Sequence, residues 1–313
     1  MPRGSRSSRD LSARADVASG RQLSPRADTV RSHRAAQIIE WSPARAVATP
    51  YRGMYLIKDE SLFAPRRVFA WVLFSACAGV VNGGAWVAVR SFATHVTGAV
   101  TSVGLSGAQG EVALGGGLAI GAFFVGAMIA ALIVDTLRAR DRRAVTASLL
   151  LGSATLFGVA VAGQAGAFGA FGQDGGRGAL ALLALLSACM CAQNAAVGIA
   201  TANAIRTTHA TGPLTDLAVN VVRGVLGTSR SPERELRWAV LRALKIMSFA
   251  VGALAAAHYA PSLGYSIFAL AAVFSVLAVG CIQTADEWEE ESAPADAAAR
   301  ASQSAVRAPG ARP

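Results

Sequence analysis

The chain has 313 residues, of which 53% are hydrophobic and only 15% charged, and its mean hydropathy is positive. That balance lies outside the range of water-soluble domains and points to a membrane protein. The formal charge of +10 does not indicate nucleic-acid binding, because the excess is concentrated in an Arg/Ser/Ala-rich arm with no interleaved aromatic residues and no recognisable binding fold.

That arm comes first. Residues 1–53 carry ten Arg against Asp10, Asp16, Asp28 and Glu40, and no continuous apolar core runs between them, so the segment is not a secretory signal. It is expected to be a basic disordered region over residues 1–60, and a second reading starts translation at Met54. From residue 65 the chain breaks into apolar stretches near the roughly 20 residues that a bilayer crossing requires. Six are predicted, at Val68 to Val89, Val112 to Val134, Val145 to Gly163, Ala179 to Ala200, Trp238 to Tyr259 and Ser262 to Ile282. The first four contain no charged side chain. Arg242 and Lys245 lie near the start of the fifth, where long cationic side chains can snorkel to the interface. The connections "DTLRARDRRA" and "RGVLGTSRSPERELR" are Arg-rich, whereas the alternate ones have few basic residues. The positive-inside rule then puts both termini in the cytoplasm. Residues 284–313, acidic and then rich in Ala, Ser and Pro, form a predicted disordered tail.

The chain repeats itself within the membrane region. "LFSACAGVVNGGAW" from Leu73 is answered by "LLSACMCAQNAAVG" from Leu185, which matches Ser75, Ala76, Cys77 and Asn82 to Ser187, Ala188, Cys189 and Asn194. Downstream, Thr94, His95, Thr97 and Gly98 spell Thr-His-x-Thr-Gly, and Thr208, His209, Thr211 and Gly212 spell it again. A weaker echo pairs "VGAMIAA" from Val125 with "VGALAAA" from Val251. Two halves are read, at about 65–163 and 179–283, within a membrane domain of residues 65–283. Three spans per half is an odd number, so the second half enters from the opposite side. The fold class expected is therefore all-α polytopic, with six transmembrane helices in two inverted three-helix repeats. That arrangement recurs in secondary transporters, and it is equally the product of duplication in a scaffold with no pathway.

Both motifs, "AGVVNGGAW" with "THVTG" and "AQNAAVGIATANAIRTTHATGPLTDLA", resemble the YoaK family of bacterial six-helix membrane proteins, over roughly Pro65 to Ile282. Family members often carry an acidic residue where this chain has Asn82, and Asn where it has Ala99, which weakens any carboxylate-based coupling at the first span. The resemblance implies an integral inner-membrane protein and supplies no substrate.

Ser187, Cys191, Asn194, Gly198 and Thr201 recur at helical spacing on one face, as do Ser75, Gly79 and Asn82. Such a stripe either glues helices together or lines a polar pathway built from Asn82, Gln193 and Asn194. In the doubled motif, Thr97 and Thr211 can cap a new helix turn, and Pro213 suits the first turn of such a helix. This predicts either a capped turn or a broken segment whose amides could hold an anion, with Arg90 and Arg206 close in sequence. His95 and His209 could serve as gating groups. The four cysteines fall inside spans as small apolar residues, and Cys189 and Cys191 point to different faces, so no metal or cofactor is expected. "GGGLAIG" from Gly115 lacks the Lys-Ser/Thr of a phosphate loop, and Gly117 and Gly121 read as a close-packing pair suited to a homodimer. No catalytic constellation lies in the membrane core, so the chain is not expected to be an enzyme. The expected partners are the lipid bilayer, a second copy and an unknown small solute, with no nucleic acid. Function is read as a small secondary transporter or permease, or as a non-transporting scaffold or regulatory subunit.

Overall fold

The computed structural model describes residues 57, 60–108, 113–138, 143–173 and 175–283. The expected disordered tail lies outside these residues, as does the basic arm apart from Ile57 and Glu60. These two are packed: the Ile57 N–H donates to the Ala200 carbonyl at 3.3 Å, and Glu60–Phe63 forms a 3-10 turn. That turn is pinned to the first long helix, because Trp71 Nε1 donates to the Leu62 carbonyl at 3.2 Å and Arg67 donates to the Ser61 carbonyl at 3.2 Å.

All regular structure among the described residues is helical. The order is α1 (Pro65–Val89), α2 (Val96–Ala108), α3 (Leu114–Arg138), α4 (Ala144–Gln164), α5 (Gly176–Ala200), α6 (Thr211–Val225), α7 (Pro232–Leu263) and α8 (267–283). Pro65 sits in the first turn of α1 and Pro232 in that of α7, where the missing N–H has no helical acceptor to lose. Each of the first four predicted spans falls in its own helix, α1, α3, α4 or α5. The last two fall together in one apolar helical stretch, Pro232–Gln283, so among the described residues five stretches rather than six are long and apolar enough to cross a membrane. At 52 residues and about 1.5 Å per residue, that stretch would be more than twice the thickness of a hydrocarbon core of about 30 Å if it were straight.

It is not straight. Gly264 takes φ +57, a conformation that a Cβ would strain, and the chain turns there through a short 3-10 segment, Gly264–Ser266. Gln164, at the end of α4, donates to the Leu263 carbonyl at 3.0 Å and to Ser266 Oγ at 2.8 Å. Eleven residues back along α4, Ser153 meets Ser275 of α8 at 2.8 Å. α8 therefore runs back antiparallel to α4. Its far end, with Ala278, Val279 and Ile282, joins the cluster around Trp71, Phe74, Leu149 and Leu241. Its near end, with Ile267, Phe268 and Ala271, joins the cluster around Val81, Leu156 and Ala256.

Helix pairing crosses between the halves. α1 packs most closely on α7, and α3 on α5. Both contacts need glycine. A Cβ on Gly252 would land on the Ala76 carbonyl oxygen, and a Cβ on Gly126 would land on the Ala188 carbonyl oxygen. Gly126 and Gly252 hold the same place in "VGAMIAA" and "VGALAAA", and Ala76 and Ala188 the same place in the Ser-Ala-Cys element. The weaker echo in the sequence thus marks two equivalent helix contacts, with small residues letting backbones approach. Gly79 on Phe249 and Gly83 on Ala253 and Ala256 extend the first contact in the same chain direction, so α1 and α7 run parallel.

Candidate functional site

The doubled motif opens a helix in each half. The first copy leads into α2 at Val96, and the second into α6 at Thr211. With 13 and 15 residues, at about 1.5 Å each, neither reaches across a bilayer core. The expected threonine cap is not formed at α6. Ala210 occupies the capping position with no side-chain bond, and Thr211 is already inside the helix. Pro213 falls in the same first turn, and the first backbone bond runs from the Leu214 N–H to the Ala210 carbonyl at 2.9 Å.

What holds each motif is the matched asparagine. Asn82 Oδ1 accepts from the Thr94 N–H at 3.0 Å and from Thr94 Oγ1 at 3.1 Å. Asn194 Oδ1 accepts from the Thr207 N–H at 2.8 Å and from the Thr208 N–H at 3.4 Å. In both halves an amide on the long helix satisfies backbone donors that the broken segment leaves without helical partners. The two asparagines do not bond to each other, since each serves the motif of its own half. Gln193 ties the halves together: its Nε2 donates to the Phe74 carbonyl of α1 and to Thr207 Oγ1, each at 3.3 Å, and Cys77 Sγ lies 3.6 Å from its Oε1. Gln193 and Asn194 are both buried. The matched Ser75 and Ser187 are also buried, and their hydroxyls have no hydrogen-bond partner among the described residues.

Beyond this shared frame the two copies diverge. In the first, the His95 ring lies over Gly98, where any Cβ would strike it, and edge-on to Phe92, which in turn stacks on Trp86 at 4.7 Å. In the second, nothing lies within 4 Å of a Cβ placed on Gly212, and His209 is exposed. Arg90 is exposed at the end of α1 with φ 50 and joins neither motif. Arg206 does join the second copy: its Nη2 donates to Asn203 Oδ1 at 2.7 Å, and its Nη1 would be 2.8 Å from a Cβ on Gly198. Ala202 and Asn203 both have positive φ, so the chain unwinds immediately after α5.

Sequence reasoning misplaced Lys245 and Arg242 and missed Asp216, Asn220 and Thr207. Lys245 does not snorkel. It is only 6% exposed, and its Nζ donates to the Arg206 carbonyl at 2.5 Å. Arg242 turns toward α6, where it pairs with Asp216 at 3.1 Å and bonds Asn220, which also bonds Glu235. Asp216 and Asn220 are four residues apart and so share a face of α6, a signal the sequence carried. Thr207 had none, because Ala93 stands at its place in the first copy. Partial burial, and then the positive charges of Arg206 and Lys245, hold the His209 imidazole below its ordinary value. Among the described residues no group of His, Cys, Asp and Glu is placed to hold a metal ion. Among the described residues, nothing outside their own helix backbone lies within 4 Å of a Cβ placed on Gly117 or Gly121.

Long apolar helices, four of them joined in two pairs fastened through glycine, together with two short helices opened by a repeated polar motif, define a multi-pass membrane protein. The chain belongs to the family described as "Protein of unknown function (DUF1275)", whose profile matches residues 70–281. No curated protein and no solved structure matches it.

Proposed function

We propose that this chain is a small secondary transporter or permease of YoaK-like type, with six membrane crossings in two inverted halves. The carrying observation is the pairing of equivalent contacts between halves, Gly252 on Ala76 and Gly126 on Ala188, with an Asn-to-Thr clasp repeated in each half. A duplicated unit that packs across itself in this way gives a central polar region two equivalent approaches. Counting α7 and α8 as separate crossings follows from the turn at Gly264 and yields the even number that an inverted pair of three-span halves requires. The Arg-rich connections then face the cytoplasm with both termini, in a bacterial inner (plasma) membrane. The partners on this reading are lipid, met by exposed side chains of α3 such as Phe124, Met128 and Leu132, a second copy across the open Gly117 and Gly121 face, and a small solute. Enzymatic chemistry and nucleic-acid binding form no part of it.

One observation favours the alternative, a non-transporting scaffold or regulatory subunit: Asn82 and Asn194 each hold a backbone segment of their own half. Purified full-length chain in liposomes, challenged with a panel of small labelled solutes, separates the two. Saturable uptake above empty liposomes is expected. Absence of flux for every solute, from protein shown to be folded and inserted, leaves the scaffold.

A further inference from the structure

We propose that the second copy of the motif is a binding site for a small oxyanion, a carboxylate or phosphate group, recognised by the Arg206 guanidinium and the Lys245 ammonium.

The fold does not require these cations. When Thr94 is aligned with Thr208, and Val125 with Val251, Arg206 falls opposite Phe92, Lys245 opposite Ala119 and Arg242 opposite Gly116. The first half therefore builds the same short helix, Asn-to-Thr clasp and glycine contact with no cation at any of the three places. Ala119 is as buried as Lys245, at 6% exposure each. A buried ammonium is costly unless it is paired, so its presence in one half alone calls for a reason other than architecture.

Pairing within the chain does not supply that reason. Lys245 Nζ has a single carbonyl acceptor, and Arg206 bonds one amide oxygen; neither meets a carboxylate among the described residues. The nearby acids are engaged elsewhere, Asp216 with Arg242 and Glu235 with Ser229 and Asn220. Two positive charges thus attach to the loop between α5 and α6, Arg206 through its own side chain and Lys245 through its bond to the Arg206 carbonyl, and neither has a carboxylate partner among the described residues. His209, on the edge of the same loop, lies near both charges: partial burial and then the same two cations hold its imidazole below its ordinary value. A guanidinium offers paired N–H donors matched to the geometry of carboxylate and phosphate oxygens. The Lys245 ammonium keeps two further donors beyond its bond to the Arg206 carbonyl.

The inference does not depend on transport, since it concerns binding. The test uses purified full-length chain in a neutral detergent and follows thermal unfolding with sodium phosphate, sodium acetate or a short-chain anionic phospholipid. Sodium chloride at equal ionic strength and a zwitterionic phospholipid are the controls. The expected result is a saturable rise in melting temperature of about 4 °C over the controls with at least one oxyanion. A response to phosphate or acetate assigns the group to a free solute, and a response to the anionic lipid alone assigns it to a headgroup. Arg206→Phe with Lys245→Ala gives the second site the residues of the first half, and should fold while losing the response. Arg206→Gln, at a partly exposed position, provides a second variant in which the response should fall at least tenfold in apparent affinity. An oxyanion shift no larger than that of chloride in the parent overturns the proposal, as does an undiminished shift in Arg206→Gln. Binding without flux would retain this site and remove the transporter, and flux without binding would do the reverse.

Discussion

Asn194 is the residue on which the second motif turns. Its amide oxygen accepts from the backbone of both Thr207 and Thr208, and it is buried, so Asn194→Ala leaves two donors without a partner where water is scarce. A loss of about 1–2 kcal/mol is expected, read as a lower melting temperature in detergent. Asn82→Ala should cost less, because Asn82 is only partly buried and Thr94 supplies both of its donors. Equal losses would show that the two clasps carry the same load. His209 gives a prediction in pH. Its folded-state value is depressed, by partial burial and then by Arg206 and Lys245, with Arg242 behind them already paired to Asp216. The folded state therefore binds fewer protons than the unfolded chain near the ordinary histidine value of about 6.5. Stability from this group is complete above that value and is lost as pH falls below it. His209→Gln should flatten part of the fall in melting temperature between about pH 7 and pH 5. A parallel pair of pH profiles would show that the ring does not feel these charges.

At the scale of elements, the decisive objects are the two glycine-fastened helix pairs, α1 with α7 and α3 with α5. Each closes on a glycine beneath a carbonyl of the partner helix, so a side chain at Gly126 or Gly252 must push two backbones apart. Gly252→Val and Gly126→Val should each destabilise by about 1–3 kcal/mol or more, as overpacking does. The same change at Gly117 or Gly121, which have no neighbour within 4 Å, should leave the monomer's melting temperature unchanged. Unfolding curves of the four variants in one detergent test this contrast, which fails if all four behave alike. A shift in oligomeric state confined to Gly117→Val and Gly121→Val would support that face as the homodimer contact.

For the whole molecule, topology is the testable quantity. Single cysteines placed in the Arg-rich connections 135–144 and 223–237, in a background lacking Cys77, Cys189, Cys191 and Cys281, should resist an impermeant thiol reagent added from outside. Labelling of either from outside would falsify the inverted arrangement. The basic arm offers a second check at this scale. Residues 2–53 can be removed without touching the contacts of Ile57 with Ala200 or of Leu62 with Trp71, so membrane insertion and melting temperature should survive. Extending the cut to residue 63 should lower the melting temperature, because it removes the buried Leu62 and its carbonyl acceptor.

Much was legible before any fold was known, and for identifiable reasons. Apolar length alone located α1, α3, α4 and α5, because a crossing needs a run of fixed extent whatever it packs against. The repetition of Ser-Ala-Cys, Asn and Thr-His-x-Thr-Gly was visible because both copies meet the same local demand, an amide that holds a broken segment and a short helix that begins just after it. Position along the chain could not reveal where the apolar stretch Pro232–Gln283 folds back on itself, since the turn at Gly264 depends on backbone torsion and on Gln164 arriving from α4. The fate of Lys245 was hidden for the same reason. From sequence, a lysine near the end of a span is free to reach the interface, and only the packing of the Arg206 loop against α7 brings a carbonyl to its ammonium. Local chemistry was thus written in the sequence, which determined the membrane class, the repetition of the motif and its polar residues. The partners of Gln193 on α1 and of Lys245 on the Arg206 loop were decided by tertiary structure alone, because they come from segments far apart in the chain and depend on how closely the glycines let the helices approach.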